Sequence, residues 1–135
     1  MASLKRGEIL PVTLVNNTAT AIAKGDWVED DASNGLKALT DGGNLLGNAH
    51  ENIAASGGVG VVDIPSPTSV WEIDLATGFN PSYLDDIYPA GSNTFDGGSA
   101  TNPKAGYIVD FNPASGSNKA RAVILCQKNG PALHA

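Results

Sequence analysis

Short apolar runs bounded by Gly, Asn, Asp or Pro dominate this sequence, and helical periodicity is almost absent from it. In residues 70–75 (VWEIDL), three apolar residues alternate with Glu72 and Asp74. This two-residue period is typical of a strand with one buried face. Further strands are predicted at EILPVTLV, GDWVE, LKALT, GVGVVDI, DIYP, AGYIVDF and ARAVILCQ. The pattern therefore predicts an all-β fold.

A chain of 135 residues has the size of one domain. We expect a single β domain over residues 9–127, an N-terminal arm over residues 1–8 and a C-terminal tail over residues 128–135. At most one short helix is expected, at NPSYLDD, because Asn80 suits a helix N-cap and Pro81 a first helical position. DDASNG contains an Asn-Gly pair that suits a tight hairpin turn.

The second half of the chain repeats part of the first. Aligning Asp26 with Asp86 sets GDWVEDD over DDIYPAG at a spacing of 60 residues. The Asp-Gly-Gly stretches at 41–43 and 96–98 follow at a spacing of 55, and Gly47 and Gly106 at a spacing of 59. Two interpretations remain open: pseudo-repeats at about 22–64 and 83–125, or a chance agreement of glycine-rich turns. A duplication predicts that the two segments occupy comparable positions in the fold.

The charge is unevenly distributed along the chain. The formal net charge is −6, but residues 25–99 carry twelve carboxylates and one lysine, and both ends are basic. An acidic middle repels phosphate, so nucleic acid is not an expected partner. Charged residues make up only 16%, and a sparsely charged surface favours packing against other proteins.

No apolar run approaches the roughly 18 residues that a membrane span needs. The basic N-terminus lacks the apolar stretch of a secretory signal. We therefore expect a soluble chain that folds in a cytoplasm, with no membrane partner.

No motif for metal or phosphate binding is complete. DDASNGLKALTD, residues 30–41, has acids at the first and twelfth places of a calcium loop, but Ala32 stands third and the last acid is Asp rather than Glu. A solvated turn is the expected structure. GGVGVV leads into a strand rather than a helix, so its glycines are expected to be flexible rather than phosphate-binding. We predict no metal and no cofactor.

No catalytic set is recognisable either. His50 and His134 have no nucleophile at a known spacing. Asp85 and Asp86 are adjacent and should point apart. The single cysteine, Cys126, is expected in the core, and both tryptophans are core residues or interface anchors, with the core favoured. We therefore predict that the protein is not an enzyme.

Three stretches carry a resemblance to a known family: GEILPVTLVNNTATAIAKGDWV, DIYPAGSNTFDGG, and AGYIVDF followed by ARAVIL. Their order resembles the small decoration, or cement, proteins of tailed-phage capsids, over most of residues 7–127. The resemblance implies a compact β-barrel or β-tulip. It also implies a protein that binds the outside of a phage head, commonly as a homotrimer at three-fold junctions of the major capsid protein, and stabilises the shell.

On this interpretation the protein is made in the host cytoplasm and resides on the outer surface of the virion. The short arm, residues 1–8, differs from the long Pro- and Thr-rich arm of the lambda-like branch. Because MASLKRGE is polar and precedes an edge-like strand, Lys5, Arg6, Glu8 and Ile9 are predicted to contact a neighbour, by strand addition or by charge. Deleting residues 2–6 is expected to weaken assembly and leave the melting of the fold nearly unchanged.

Two other classes of protein compete with this interpretation. The first is a β-sandwich module that binds carbohydrate or a host surface and is displayed on a virion. It requires an exposed platform of aromatic residues. The second is a small trimeric β-fold enzyme, which the missing catalytic set disfavours.

Overall fold

The computed structural model describes residues 2–31, 35–91, 93–98, 103–111 and 118–126, apart from the side chain of Arg6. Within this part the chain is all-β: it contains eleven strands and no helix. None of the described residues forms a helix of the length and hydrophobicity needed to cross a membrane. The strands are β1 (Ser3–Arg6), β2 (Ile9–Asn16), β3 (Trp27–Asp31), β4 (Gly35–Ala38), β5 (Leu45–Ala49), β6 (Gly58–Pro65), β7 (Val70–Leu75), β8 (Asp86–Pro89), β9 (Thr94–Asp96), β10 (Gly106–Asp110) and β11 (Lys119–Ile124).

The strands form two rings. The first ring is a closed barrel in the order β2-β4-β3-β5-β6. The second is a sheet in the order β1-β7-β11-β10-β8-β9, in which β9 also pairs with β7. This extra pairing joins β7, β11, β10, β8 and β9 into a ring, with β1 added outside it on β7. The predicted all-β, barrel-like fold is confirmed.

The two rings have the same strand order and almost the same register. The strands correspond one to one along the chain: β2 to β7, β3 to β8, β4 to β9, β5 to β10 and β6 to β11. With this correspondence, the pairing order of the first ring is the same as that of the second. Val28 pairs with Gly47 as Ile87 pairs with Gly106, an offset of 59 residues (28 to 87 and 47 to 106). The predicted segments therefore occupy equivalent places, since a chance agreement of turns would not reproduce strand register.

The structure corrects the details of the sequence alignment. Gly47 and Gly106 are equivalent, as predicted, but the offset of 59 places Asp26 over Asp85 rather than Asp86. Asp96 pairs with Tyr88 as Lys37 pairs with Glu29, so Asp96 is equivalent to Lys37. The Asp-Gly-Gly stretch at 96–98 is therefore not equivalent to the one at 41–43. Here the turn composition was misleading, and only the hydrogen-bonded register identifies the matching residues.

The closing contacts of the two rings differ. The first ring closes through a single antiparallel pair, Asn16 with Gly35. Gly35 has a φ of 80°, and a Cβ there would lie 2.2 Å from the Val15 carbonyl oxygen, so this closure requires glycine. The second ring closes through a parallel pairing of β7 with β9, in which Leu75 lies opposite Phe95. The turn predicted at Asn34 lies outside the described residues.

Each ring encloses its own apolar cluster. The first cluster contains Val28, Leu36, Leu46 and Val62, and Cys126 joins it from beyond β11, which confirms the predicted core position of that cysteine. The second cluster is built mainly from β7, β8, β10 and β11. Leu45 belongs to the second cluster and Leu46 to the first. Neighbouring side chains of β5 therefore face the two cores, as strand alternation requires.

Trp27 joins the rings. It lies on β3 of the first ring, next to Val28, but its side chain packs in the cluster of the second ring. Its ring centroid is 5.0 Å from that of Trp71 and 5.8 Å from that of Phe95, both in edge-to-face geometry. Both tryptophans are buried, which confirms the prediction that they are core residues. The residue equivalent to Trp27 in the second ring is Asp86, which is exposed.

The predicted helix at residues 80–86 is wrong. Residues 83–84 form a turn in which Leu84 has a φ of 68°, and Asp86 already begins β8. The Ser82 N–H donates to Asp85 Oδ2 at 2.8 Å, so the carboxylate that would have followed a helix N-cap closes a local turn instead. In the N-terminal segment, residues 3–6 form β1 and pair with β7.

An ion pair links β7 and β11. Lys119 lies directly opposite Asp74 and its ammonium donates to Asp74 Oδ1. Burial raises the pKa of Asp74, whereas the hydrogen bond and charge of Lys119 lower it, and the resulting pKa lies below its ordinary value. The same hydrogen bond raises the pKa of Lys119. The pair thus stabilises the fold only while both groups are charged.

Replacing Trp27 by Ala should lower the free energy of unfolding by about 3–5 kcal/mol, because a large aromatic side chain is lost from a packed core. Asp86→Ala, at the equivalent exposed position, is the matched control and should cost less than about 1 kcal/mol. Urea unfolding followed by circular dichroism measures both variants. Equal losses would show that Trp27 does not hold the rings together.

Lys119→Met should reduce the free energy of unfolding by about 0.2–1 kcal/mol near neutral pH, the range for partly exposed pairs. A lowered Asp74 pKa gives stability that is present above the unfolded value and lost as pH falls through the folded value. A raised Lys119 pKa gives stability that is lost as pH rises through its folded value. The difference between wild type and variant should therefore shrink below about pH 4 and above about pH 10.5.

The Asp74→Asn/Lys119→Met double-mutant cycle isolates the pair. A difference that stayed constant from pH 3 to pH 11 would assign the effect of Lys119→Met to packing of its aliphatic chain rather than to charge.

Candidate interaction surface

The N-terminal strand is the part of the sheet that the sequence predicted as a contact. β1 pairs with β7 from Ser3 opposite Glu72 to Arg6 opposite Val70. Each strand of the two rings pairs with at least two neighbours, whereas β1, among the described residues, pairs with β7 alone. Within this part of the chain, its outer edge therefore has no partner strand.

The four predicted contact residues lie in two different environments. Lys5 and Glu8 are exposed. Ile9 is partly buried and packs against the second cluster. Leu4, which the sequence did not single out, packs against the same cluster. Of Arg6 only the backbone is described.

A glycine turn carries the chain from β1 to β2, and hence from one ring to the other. Gly7 has a φ of 93°, and a Cβ there would lie 2.2 Å from the Thr68 carbonyl oxygen. The Ser66 hydroxyl donates to the Glu8 carbonyl at 2.8 Å and holds the chain after this turn. The start of β2 is thereby fixed against the loop between β6 and β7.

A cleft of about 330 Å³ separates β1 from the end of the first ring. Its walls are mostly apolar and include Leu4, Ile9, Ala49 and Trp71. Ser3, Lys24, Asn48, His50 and Asp63 contribute the polar groups. The cleft is thus the seam between the rings, in the neighbourhood of β1.

His50 and Asp63 meet at this cleft, although thirteen residues separate them. The distance from His50 Nδ1 to Asp63 Oδ2 is 2.9 Å. The backbone N–H of His50 donates to the Val61 carbonyl, also at 2.9 Å. Asp63 is 7% exposed, whereas the His50 side chain is 62% exposed. Asp63 Oδ1 is buried and accepts no hydrogen bond from the described residues.

The chemistry of this pair is limited. A carboxylate on Nδ1 orients an imidazole, as in hydrolases. Ser3 lines the same cleft, but no hydrogen bond joins its hydroxyl to His50 among the described residues. The geometry therefore shows a pair that fastens the loop after β5 to β6. Sequence reasoning missed it because the register of two strands, not their spacing, brings the residues together.

Other predicted site residues are separated in space or have local partners. Asp85 accepts from the Ser82 N–H, whereas Asp86 Oδ2 lies 3.1 Å from Lys104 Nζ and raises the pKa of that lysine. The adjacent carboxylates therefore do not act as a pair. In the described part of the chain, no three His, Cys, Asp or Glu side chains are grouped to hold a metal ion. Ala32 of the calcium-like loop lies outside the described residues, as does His134.

The aromatic residues do not form a platform. All eight lie in the described part of the chain, and Trp27, Trp71, Tyr88 and Phe95 are buried. Tyr83 alone among them is mostly exposed. The flat aromatic surface that a carbohydrate-binding module requires is therefore missing from this set.

No protein-family model, curated protein or solved structure matches this chain.

Removing the imidazole from the cleft tests the fastening role of His50. His50→Ala should lower the free energy of unfolding by about 1–3 kcal/mol, because it leaves a buried carboxylate without its hydrogen-bond donor. Adding Asp63→Asn to this variant should recover part of the loss, since a neutral amide is less costly to bury than a carboxylate. Thermal and urea unfolding measure both. If the double variant is no more stable than His50→Ala, the bond between the two side chains is not the cause.

Proposed function

We propose that this protein is a non-enzymatic capsid decoration protein of a tailed phage, which binds the outer surface of the head and bridges major capsid protein subunits. The observation that carries the proposal is the open edge of β1. In the described part of the chain each ring is closed by its own strands, yet β1 lies outside them and pairs on one side only. An edge strand of this kind is a site for strand addition by a neighbouring protein.

The charges around β1 are suited to such a contact. Lys5 and Glu8 are exposed beside the edge. A lysine on an edge strand disfavours pairing with an identical edge, while it attracts an acidic neighbour. This arrangement favours a partner of different sequence, such as the major capsid protein, at β1.

Decoration works by mass action rather than by chemistry. A protein that binds the assembled shell better than its separated subunits stabilises the shell, and many equivalent copies multiply the effect. The chain has the properties that this role requires: two rings joined by a buried aromatic contact, few charged residues, and an open edge.

Purified protein added to mature, undecorated tailed-phage shells should bind to saturation at symmetry-related sites and raise the temperature at which the shells break. Immature, unexpanded shells should bind less, because expansion completes the junctions between subunits. Cryo-electron microscopy locates the sites, and thermal scanning of the shells measures the gain. Binding to glycans with no effect on shell stability would replace this proposal by a carbohydrate-binding function.

Lys5→Gln should weaken binding to shells and make it less sensitive to salt, because it removes an exposed charge beside the edge. Arg121→Gln, which removes an exposed charge from β11, is the matched control and should bind as wild type does.

Deletion of residues 2–6 is a poorer test than the sequence suggested. It removes Ala2 and Leu4 from the second cluster, so we now expect it to lower the melting temperature as well as shell binding. Equal shell binding by Lys5→Gln and wild type at all salt concentrations would remove the role of charge at β1.

A further inference from the structure

The turn between β7 and β8 presents two large apolar side chains to solvent. Tyr83 is 70% exposed and Leu84 is 54% exposed. They are adjacent, and neither belongs to the two apolar clusters. We call these two side chains the knob.

Hydrogen bonds on both sides hold the knob in place. Within the turn, the Asp85 N–H donates to the Ser82 carbonyl at 3.1 Å, and the Ser82 N–H donates to Asp85 Oδ2 at 2.8 Å. The Leu84 N–H donates to the Ile108 carbonyl at 2.8 Å, and the Ile108 N–H donates to the Asp85 carbonyl at 3.0 Å. The knob is therefore fixed to the sheet before any partner binds, which lowers the entropy cost of binding.

The backbone at Leu84 is strained. Its φ of 68° lies in the left-handed region, where a bulky residue is rare and which costs of order 1–3 kcal/mol. The same turn occurs in the first ring at residues 23–26. There the Gly25 N–H donates to the Ala49 carbonyl, the Ala49 N–H donates to the Asp26 carbonyl, and the Ala23 N–H donates to Asp26 Oδ2.

In the first ring, glycine occupies the strained position. Gly25 has a φ of 89° and is the residue equivalent to Leu84 at the offset of 59 (25 to 84). Glycine therefore satisfies this turn without strain, and the fold does not require leucine at position 84. A strained, exposed leucine beside an exposed tyrosine is explained by binding rather than by folding.

The first ring carries a hollow of matching chemistry. It has a volume of about 420 Å³ and is lined by Ala21, Ile22, Ala23, Asn52, Ile53 and Ala54. None of these side chains is charged. The hollow adjoins residues 23–26, the turn equivalent to the one that bears the knob.

One charge beside the hollow is opposite in sign to one beside the knob. The Lys24 N–H donates to Asn52 Oδ1 of the hollow, and Lys24 is exposed, as is Asp85, which follows the knob. Glu51, next to Asn52, is also exposed, but its carboxylate already accepts from the Val61 N–H. A second copy therefore offers Asp85 an ammonium beside the hollow. This arrangement favours a second copy of the same chain as the occupant.

We propose that the knob, Tyr83 and Leu84, of one copy inserts into the hollow of the next copy in a head-to-tail contact. The two contacting surfaces are different, so the contact repeats from copy to copy and closes a ring when the rotation allows it. This contact specifies how the homotrimer of the proposed decoration protein is held together, and in that respect it rests on the proposed function. The contact with the shell, through β1, is separate from it.

Leu84→Gly is the decisive variant, because it removes the apolar side chain and keeps a residue that tolerates positive φ. Analytical ultracentrifugation over a range of concentrations should show that wild type associates and that Leu84→Gly needs at least about tenfold more protein to do so. The melting temperature of the monomer should be unchanged or higher, since the strain is relieved. Val59→Ala, at another exposed apolar position, is the control and should associate as wild type does.

A mixing experiment tests the head-to-tail geometry. Ala21→Asp places a charge in the exposed wall of the hollow and should block association on its own. Mixed with Leu84→Gly, it should form a dimer and nothing larger, because one intact knob then meets one intact hollow. Failure of the mixture to associate, when each parent is folded by circular dichroism, overturns the proposal.

Two further results overturn it. The first is a wild-type chain that stays monomeric up to about 1 mM. The second is association of Leu84→Gly equal to that of wild type. If this variant associates normally but loses binding to shells, the knob is a capsid contact instead. If wild type associates through the knob but never binds shells, the self-contact stands and the decoration function falls.

Discussion

The insertion of Trp27 into the core of the second ring is the contact on which the rest of the structure depends. β3 places Val28 in the first core and Trp27, one residue earlier, outside it. Because Trp27 packs edge-to-face on Trp71 and Phe95, the outside of one ring becomes part of the inside of the other. The cleft at the seam and the position of β1 depend on this fixed relation between the rings.

The two rings share one plan, and the surfaces to which we assign contacts lie where the rings depart from it. An exposed aspartate, Asp86, stands in the second ring at the position equivalent to Trp27. Leu84 stands where the first ring has Gly25. The turn at residues 23–26 of the first ring lies at the seam. The equivalent turn of the second ring presents the knob to solvent. β1 adds an open edge. The two rings thus share strand order and nearly the same register, and they differ in side chains at equivalent positions.

These surfaces divide the proposed roles between different parts of the molecule. β1 offers backbone groups and charge, which suit a capsid protein of different sequence. The knob and the hollow offer apolar shape, which suits another copy of the chain. Neither of these proposed contacts requires catalytic chemistry. The His50–Asp63 pair is then a structural fastening at the seam.

The sequence by itself determined the local structure that depends on alternation. The strands at residues 70–75 and 86–89 form within the predicted bounds, and Gly47 and Gly106 are equivalent as predicted. Alternation is a property of each segment, so it can be read without the partner strand. The helix at residues 80–86 was predicted wrongly because capping residues also suit a tight turn, and hydrogen bonds to Ile108 decided between the two. Ring closure, the transfer of Trp27 between cores, the meeting of His50 with Asp63 and the exposure of Leu84 were decided only by tertiary structure, because each depends on the register of strands that are distant in sequence.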